Sequence, residues 1–195
     1  MNSNSSPAPS QLRSKAVGIL NELAEVDHAV YEAVARQDTP YLDEPLRRIS
    51  NLANGSLIWL SIAAGLILFG GKTGRRAAVR GVASIGIASA VVNVGLKSIA
   101  SRSRPNRLEM EVPVRRHVRM PESTSFPSGH SASGFAFATA VGYEIPAFSV
   151  PLRLLAASVA YSRVHTGVHY PGDAVVGALV GAASGQLVAW SSRRR

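Results

Sequence analysis

Three short stretches of this sequence gather cations, imidazoles and a carboxylate at spacings suited to phosphoryl chemistry. The first is Lys97-Ser-Ile-Ala-Ser-Arg-Ser-Arg-Pro105. Lys97 and Arg104 lie seven residues apart, two helical turns, which predicts one shared face with the long arms converging on an anion. Pro105 disfavours helix at Arg104 and turns the chain there. A guanidinium fork matches phosphate oxygens, and a lysine adds a mobile point charge. Taken alone, the pair reads as a basic patch on anionic lipid. The second stretch is Pro127-Ser-Gly-His130. Ser128 is the expected N-cap of a helix, so the amides of Gly129, His130 and Ser131 point out of its N-terminus as an anion site. His130 stands beside that site, able to donate a proton. The third is Ser162-Arg-Val-His-Thr-Gly-Val-His-Tyr-Pro-Gly-Asp173. Arg163 supplies another fork. Asp173 can hold one nitrogen of His169 as N–H and leave the other free to attack. It also suits the cap of the helix that Pro171-Gly172 introduces. His165 and His169 have the i, i+4 spacing of a metal pair, but no carboxylate cluster or cysteine accompanies them. No metal is expected, and His165 and His28 are read as structural.

These side chains need elements to carry them to one place. The chain has 195 residues, of which 46% are hydrophobic and 17% charged, with no cysteine. That excludes a disordered chain, a disulfide scaffold, a thiolate metal site and a cysteine nucleophile. Twenty-one basic residues against twelve acidic give a net charge of +9, which favours phosphate-bearing partners. Seven of the acids precede residue 45. Beyond them the chain is mostly apolar stretches punctuated by Arg and Lys. Charge-free windows span residues 49–71, 81–96, 123–143 and 174–192, and a fifth segment, 145–162, carries Arg153. A bilayer-crossing helix needs about 20 such residues. The segments are rich in Gly, Ala and Ser, which let membrane helices approach closely.

The expected fold class is therefore all-α: a polytopic membrane helical bundle of about five spans plus N-terminal amphipathic helices. Residues 1–12 read as a disordered tail without the features of a signal peptide. Residues 13–54 form the amphipathic helical segment, with Ile19, Leu20, Leu23, Val26 and Val30 at helical spacing. Residues 55–192 form the membrane domain. Lys72, Arg75, Arg76 and Arg80 crowd one connection, and Arg193–Arg195 end the chain. The positive-inside rule makes that side cytoplasmic and puts the three chemical stretches on the extracytoplasmic face of the plasma membrane.

Together, Lys-x6-Arg-Pro (97–105), Pro-Ser-Gly-His (127–130) and Ser-Arg-x5-His-x3-Asp (162–173) resemble the three-part signature of the type 2 phosphatidic acid phosphatase (PAP2) superfamily. The resemblance covers roughly residues 55–190. With Leu-Arg-Arg-Ile-Ser before its first span, the chain looks like the short actinobacterial members. It departs from the usual pattern in its count of five spans rather than six, and in His165, where relatives frequently carry an aromatic residue.

The resemblance implies a lipid phosphate phosphatase working without metal or other cofactor. It makes His169 the nucleophile of a phosphohistidine intermediate, Asp173 its orienting carboxylate and His130 the general acid. It makes Lys97, Arg104, Arg163, Ser128 and Gly129 the phosphate-binding set. The substrates it implies are polyprenyl-linked phosphates, such as decaprenylphosphoryl-5-phosphoribose, or polyprenyl diphosphate, phosphatidic acid and phosphatidylglycerophosphate. Two alternatives use the same residues: a lipid phosphotransferase, and a non-catalytic anionic-lipid-binding membrane protein. Nucleic acid is a poor partner, because the cations divide between two membrane faces instead of forming one stripe.

Overall fold

The computed structural model describes residues 9–191, and every regular element among them is helical. Seven main helices follow in order: α1 (Pro9–Arg36), α2 (Pro40–Leu52), α3 (Leu57–Phe69), α4 (Gly71–Ile99), α5 (Gly129–Glu144), α6 (Ser149–His165) and α7 (Pro171–Ser191). Helix α1 starts at Pro9, so residues 9–12 of the expected tail are helical. The rest of that tail, and the Arg193–Arg195 cluster, lie outside the described residues.

Helices α3 to α7 occupy the five apolar segments. Two of them, Gly71–Ile99 and Pro171–Ser191, are long and apolar enough to cross a membrane by length and composition. Helices α2 and α3 together make a third candidate, bent by 66° between them. The 13 residues of α3 rise only about 20 Å, short of a hydrocarbon core of about 30 Å.

Helix α5 runs through the middle of the bundle, buried along most of its length, and packs against α4, α6 and α7. The core between α3, α4, α5 and α6 holds Trp59, Ala77, Phe137, Val141 and Val159, with the Trp59 and Phe137 rings 5.7 Å apart. Against α7 the approach is closer still. Gly177, Gly181 and Gly185 recur at i, i+4, and a Cβ on any of them would run into the backbone oxygen of Ser128, Ala132 or Ala136. Only glycine lets the α5 and α7 backbones touch there.

The chain direction alternates, so the end of α4, the start of α5, the end of α6 and the start of α7 share one end of the bundle. The long irregular segment 100–128 covers that end. At the opposite end, Arg76 and Arg80 from α4 pair with Glu144 at the close of α5. Helix α1 lies at the covered end. Its last turns pack on α6 and α7 through Tyr31 and Ala35, while Leu12, Leu20, Leu23 and Val26 remain exposed.

Candidate active site

Two helix N-termini meet where segment 100–128 folds over the bundle. Ser128 caps α5 with its hydroxyl, which accepts from the Ser131 amide at 3.4 Å. Of the three amides expected to face an anion, Ser131 is thus already satisfied, leaving Gly129 and His130. The Ser128 hydroxyl is fully buried and also bonds the Ser131 hydroxyl at 3.1 Å. The backbone N–H of Ser128 donates to the Asp173 carbonyl at 2.9 Å, which ties the start of α5 to the start of α7. Pro171 opens α7, where a missing N–H costs nothing, and Asp173 reaches back to accept the Tyr170 amide at 2.9 Å. Asp173 thus stands inside the first turn of α7 rather than at its N-cap, and its bond to the Tyr170 amide coexists with its approach to His169.

A cavity of about 200 Å³ opens at this junction. Lys97, Arg104, Gly129, His130 and His169 line it, with Ala53, Gly55, Ser56, Ser89, Asn93, Pro121, Ser123 and Ser133. Three sequence motifs separated by more than 20 residues each thus supply one wall apiece. Nε2 of His169 faces the cavity, 3.4 Å from Nη1 of Arg104, and Nδ1 faces Oδ2 of Asp173 at 3.5 Å. His169 and Asp173 are both buried. Burial pushes the imidazole from its usual 6.5 down to about 4. The hydrogen bond with Asp173 opposes that fall, and the nearby charges of Arg104 and Arg163 reinforce it. At neutral pH the ring is uncharged and its nitrogen lone pair is free.

Lys97 and Arg104 do meet, though not along a helix. Helix α4 ends at Ile99 and residues 100–106 are irregular, because Pro105 holds Arg104 out of the α region. Segment 121–125 brings the two together instead. Lys97 Nζ donates to Ser123 Oγ at 3.1 Å, and Arg104 Nε donates to the Ser123 carbonyl at 2.8 Å. Arg104 also bonds the Val168 carbonyl at 2.6 Å. A π-helical stretch at Val91–Leu96 widens the turn just before Lys97. Such insertions interrupt the i, i−4 ladder and recur at functional sites.

Arg163 stands behind the cavity rather than on its wall. It is 1% exposed, Nη1 donates to the Ser50 carbonyl and hydroxyl, and Nε has no hydrogen-bond partner among the described residues. His165 turns away from His169: its Nε2 lies 2.9 Å from Asp43, since the helix ends between the two imidazoles. The His28 ring rests on Tyr170, with centroids 4.6 Å apart.

Sequence reasoning missed several partners. Ser125 donates its hydroxyl to Asp173 Oδ2 and lies 3.5 Å from His169 Nδ1. Arg102 bridges Asp173 and Asp27 of α1, at 3.0 and 2.7 Å, and stacks 4.0 Å above the Tyr170 ring. Ser50 holds Arg163, and Asn54 meets His130. The only visible signal was a serine-rich run before Phe126.

Residues 77–195 match the description of the PAP2 superfamily. The chain belongs to that superfamily. It is 32% identical over 155 residues to the decaprenylphosphoryl-5-phosphoribose phosphatase of Mycobacterium tuberculosis, covering 77% of this chain and 81% of that one. Two solved structures share the fold. The crystal structure of Aquifex aeolicus LpxE matches with a TM-score of 0.68 and 26% identity, over 82% of this chain and 92% of the other. A PAP2-type phosphatidylglycerolphosphate phosphatase from Bacillus subtilis matches with a TM-score of 0.72 and 24% identity, over 89% and 88%. This PAP2 protein is a membrane phosphatase acting on lipid phosphates, so the non-catalytic lipid-binding alternative falls away.

Proposed function

We propose that this phosphatase cleaves a polyprenyl-linked phosphate, of the kind borne by decaprenylphosphoryl-5-phosphoribose, through a phosphohistidine on His169. The observation that carries the reading is the His169 ring itself, with one nitrogen open to a cationic cavity and the other turned to a buried carboxylate. The name of the mycobacterial relative supports the substrate class.

In the first step the Nε2 lone pair attacks phosphorus, the P–O bond to the leaving group breaks, and His130 gives its proton to the departing oxygen. Asp173 balances the positive charge that grows on the His169 ring. Lys97 and Arg104, with the Gly129 amide, neutralise the equatorial oxygens, and Arg163 adds its field from behind. Ser128 serves by capping the helix that presents those amides. In the second step water attacks phosphorus, His130 takes a proton from it, and the P–N bond electrons return to Nε2. Charge neutralisation by side chains assigns no role to a divalent ion. The plasma membrane, with the cavity on its extracytoplasmic face, fits the arginine-rich connection at the opposite end.

Purified protein in detergent is expected to release phosphate from a prenyl-linked phosphate in EDTA, with vanadate inhibiting. Brief reaction with labelled substrate and alkaline denaturation should trap an acid-labile label on the wild type and none on His169→Ala. A label that persists in His169→Ala would remove the nucleophile assignment.

A further inference from the structure

The turn between α2 and α3 sends two hydrogen bonds into the site, although it precedes residues 77–195 that match the superfamily. Oδ1 of Asn54 is 3.0 Å from Nε2 of His130. Four residues earlier, Ser50 receives Nη1 of Arg163 on its carbonyl at 3.2 Å and its hydroxyl at 2.7 Å. An amide oxygen can only accept, so the Asn54 contact requires a hydrogen on Nε2 of His130. The turn that presents Asn54 is held in an unusual shape. Gly55 and Ser56 have φ of 60° and 61°, both left-handed, and for serine that conformation is costly by about 1 kcal/mol or more. Gly55 and Ser56 themselves line the cavity. A histidine on the first turn of a helix has two free torsions, and an orienting partner is what selects one ring position and one tautomer.

We propose that Asn54 is a positioning residue for the general acid: its amide oxygen holds the His130 ring with Nε2–H at the cavity, where the leaving oxygen of the substrate takes that hydrogen bond over. The inference rests on the role given to His130 above. When the P–O bond breaks, its electron pair goes to the leaving oxygen and the Nε2 proton follows, so that a protonated His130 ends neutral with hydrogen on Nδ1. In the first step Asn54 therefore matters only for leaving groups that need a proton, whereas the base role of His130 in the second step is shared by every substrate. A prenyl or alkyl oxygen needs one; p-nitrophenolate leaves without it.

The test measures the single-turnover rate of leaving-group release, with enzyme in excess over a short prenyl phosphate or p-nitrophenyl phosphate so that the shared water step does not enter, for wild type, Asn54→Ala, Asn54→Asp and His130→Ala in the same detergent. Asn54→Ala is expected to lose about 10–100-fold in this rate on the prenyl ester. Its rate on the aryl ester should stay within about threefold. Asn54→Asp, which keeps an acceptor oxygen, should recover most of the prenyl activity. The aryl ester doubles as a control for folding. Equal losses on both esters in Asn54→Ala, with His130→Ala still selective against the prenyl ester, would overturn the Asn54 assignment alone. If His130→Ala is itself unselective, the general-acid role fails and this inference falls with it.

Discussion

Two groups of arginine and histidine take their imidazoles, His165 and His169, from the end of α6 and the loop after it, and they differ in how their charge is met. Around Asp43 every charge has a counterpart. The carboxylate takes Arg115, Arg116 and the His165 ring, and Arg116 directs its remaining N–H groups to the carbonyls of Val34, Ala35 and Gln37. Around the cavity the balance is one-sided. Lys97, Arg104 and Arg163 donate to neutral oxygens of Ser123, Thr124, Val168 and Ser50, and the nearest carboxylate, Asp173, is shared with Arg102. In a low dielectric an unmatched cation is costly, and three of them near one cavity favour the entry of a doubly charged phosphate. The first group is packing; the second is a binding site with its ligand's charge left open.

The sharpest way to separate the two groups is to remove one imidazole from each. His169→Ala should cost at least about 10³-fold in kcat with the melting temperature little changed, whereas His165→Ala should lower stability first. Phosphate release and thermal melts in detergent read both.

Breaking the matched group should show in stability. Asp43→Ala strands Arg116, which is 0% exposed, and is expected to cost about 3–5 kcal/mol. The double variant Asp43→Asn with Arg116→Met should melt above either single change. If Asp43→Ala melts like wild type, the contrast between the groups is lost.

Within the open group, Arg104→Ala should reduce kcat/KM by about 10²-fold, roughly 2.7 kcal/mol, and weaken vanadate inhibition in parallel. Arg115→Ala, at the half-exposed edge of the matched group, should leave kcat/KM within about twofold.

The frame holding both groups can be strained without touching a charge. Gly181→Ala forces a methyl against the Ala132 carbonyl and should destabilise by about 1–3 kcal/mol, read as a lower melting temperature. The last effect is on pH dependence. His169 is neutral in the folded state down to about pH 4, while the unfolded chain protonates it below 6.5. The unfolded state therefore binds more protons in that window, and stability from this residue is complete above 6.5 and declines toward 4. Melts from pH 7.5 to 4.5 should fall less for His169→Ala than for wild type.

Local rules carried the sequence reading as far as they reach. Ser128 before an apolar run, and Pro171 two residues ahead of Asp173, mark helix starts that depend on neighbours within one turn, and both helices begin there. The charge-free windows marked α3, α4, α5 and α7 because burial in lipid excludes charge over long stretches, and α6 showed as an apolar segment broken only by Arg153. Contacts between distant segments were not legible. Asn54 to His130 spans 76 residues, Ser50 to Arg163 spans 113, and Arg102 to Asp173 spans 71. Nothing in the type or spacing of Asn54 or Ser50 distinguishes them from other polar turn residues. Arg163 shows the same limit in reverse. Its motif predicts a phosphate fork, and only the packing of α2 reveals that Ser50 already holds one end of it.

Asp27 sits in the first helix, far from any of the three motifs, yet it accepts the Gly172 amide at 2.6 Å and grips Arg102, which grips Asp173. Trimming the chain to its motif-bearing region would keep every reacting atom and remove that brace. Such a shortened protein is expected to bind phosphate and turn over slowly, which makes the amphipathic leader a poor place to cut when seeking better crystals or higher expression.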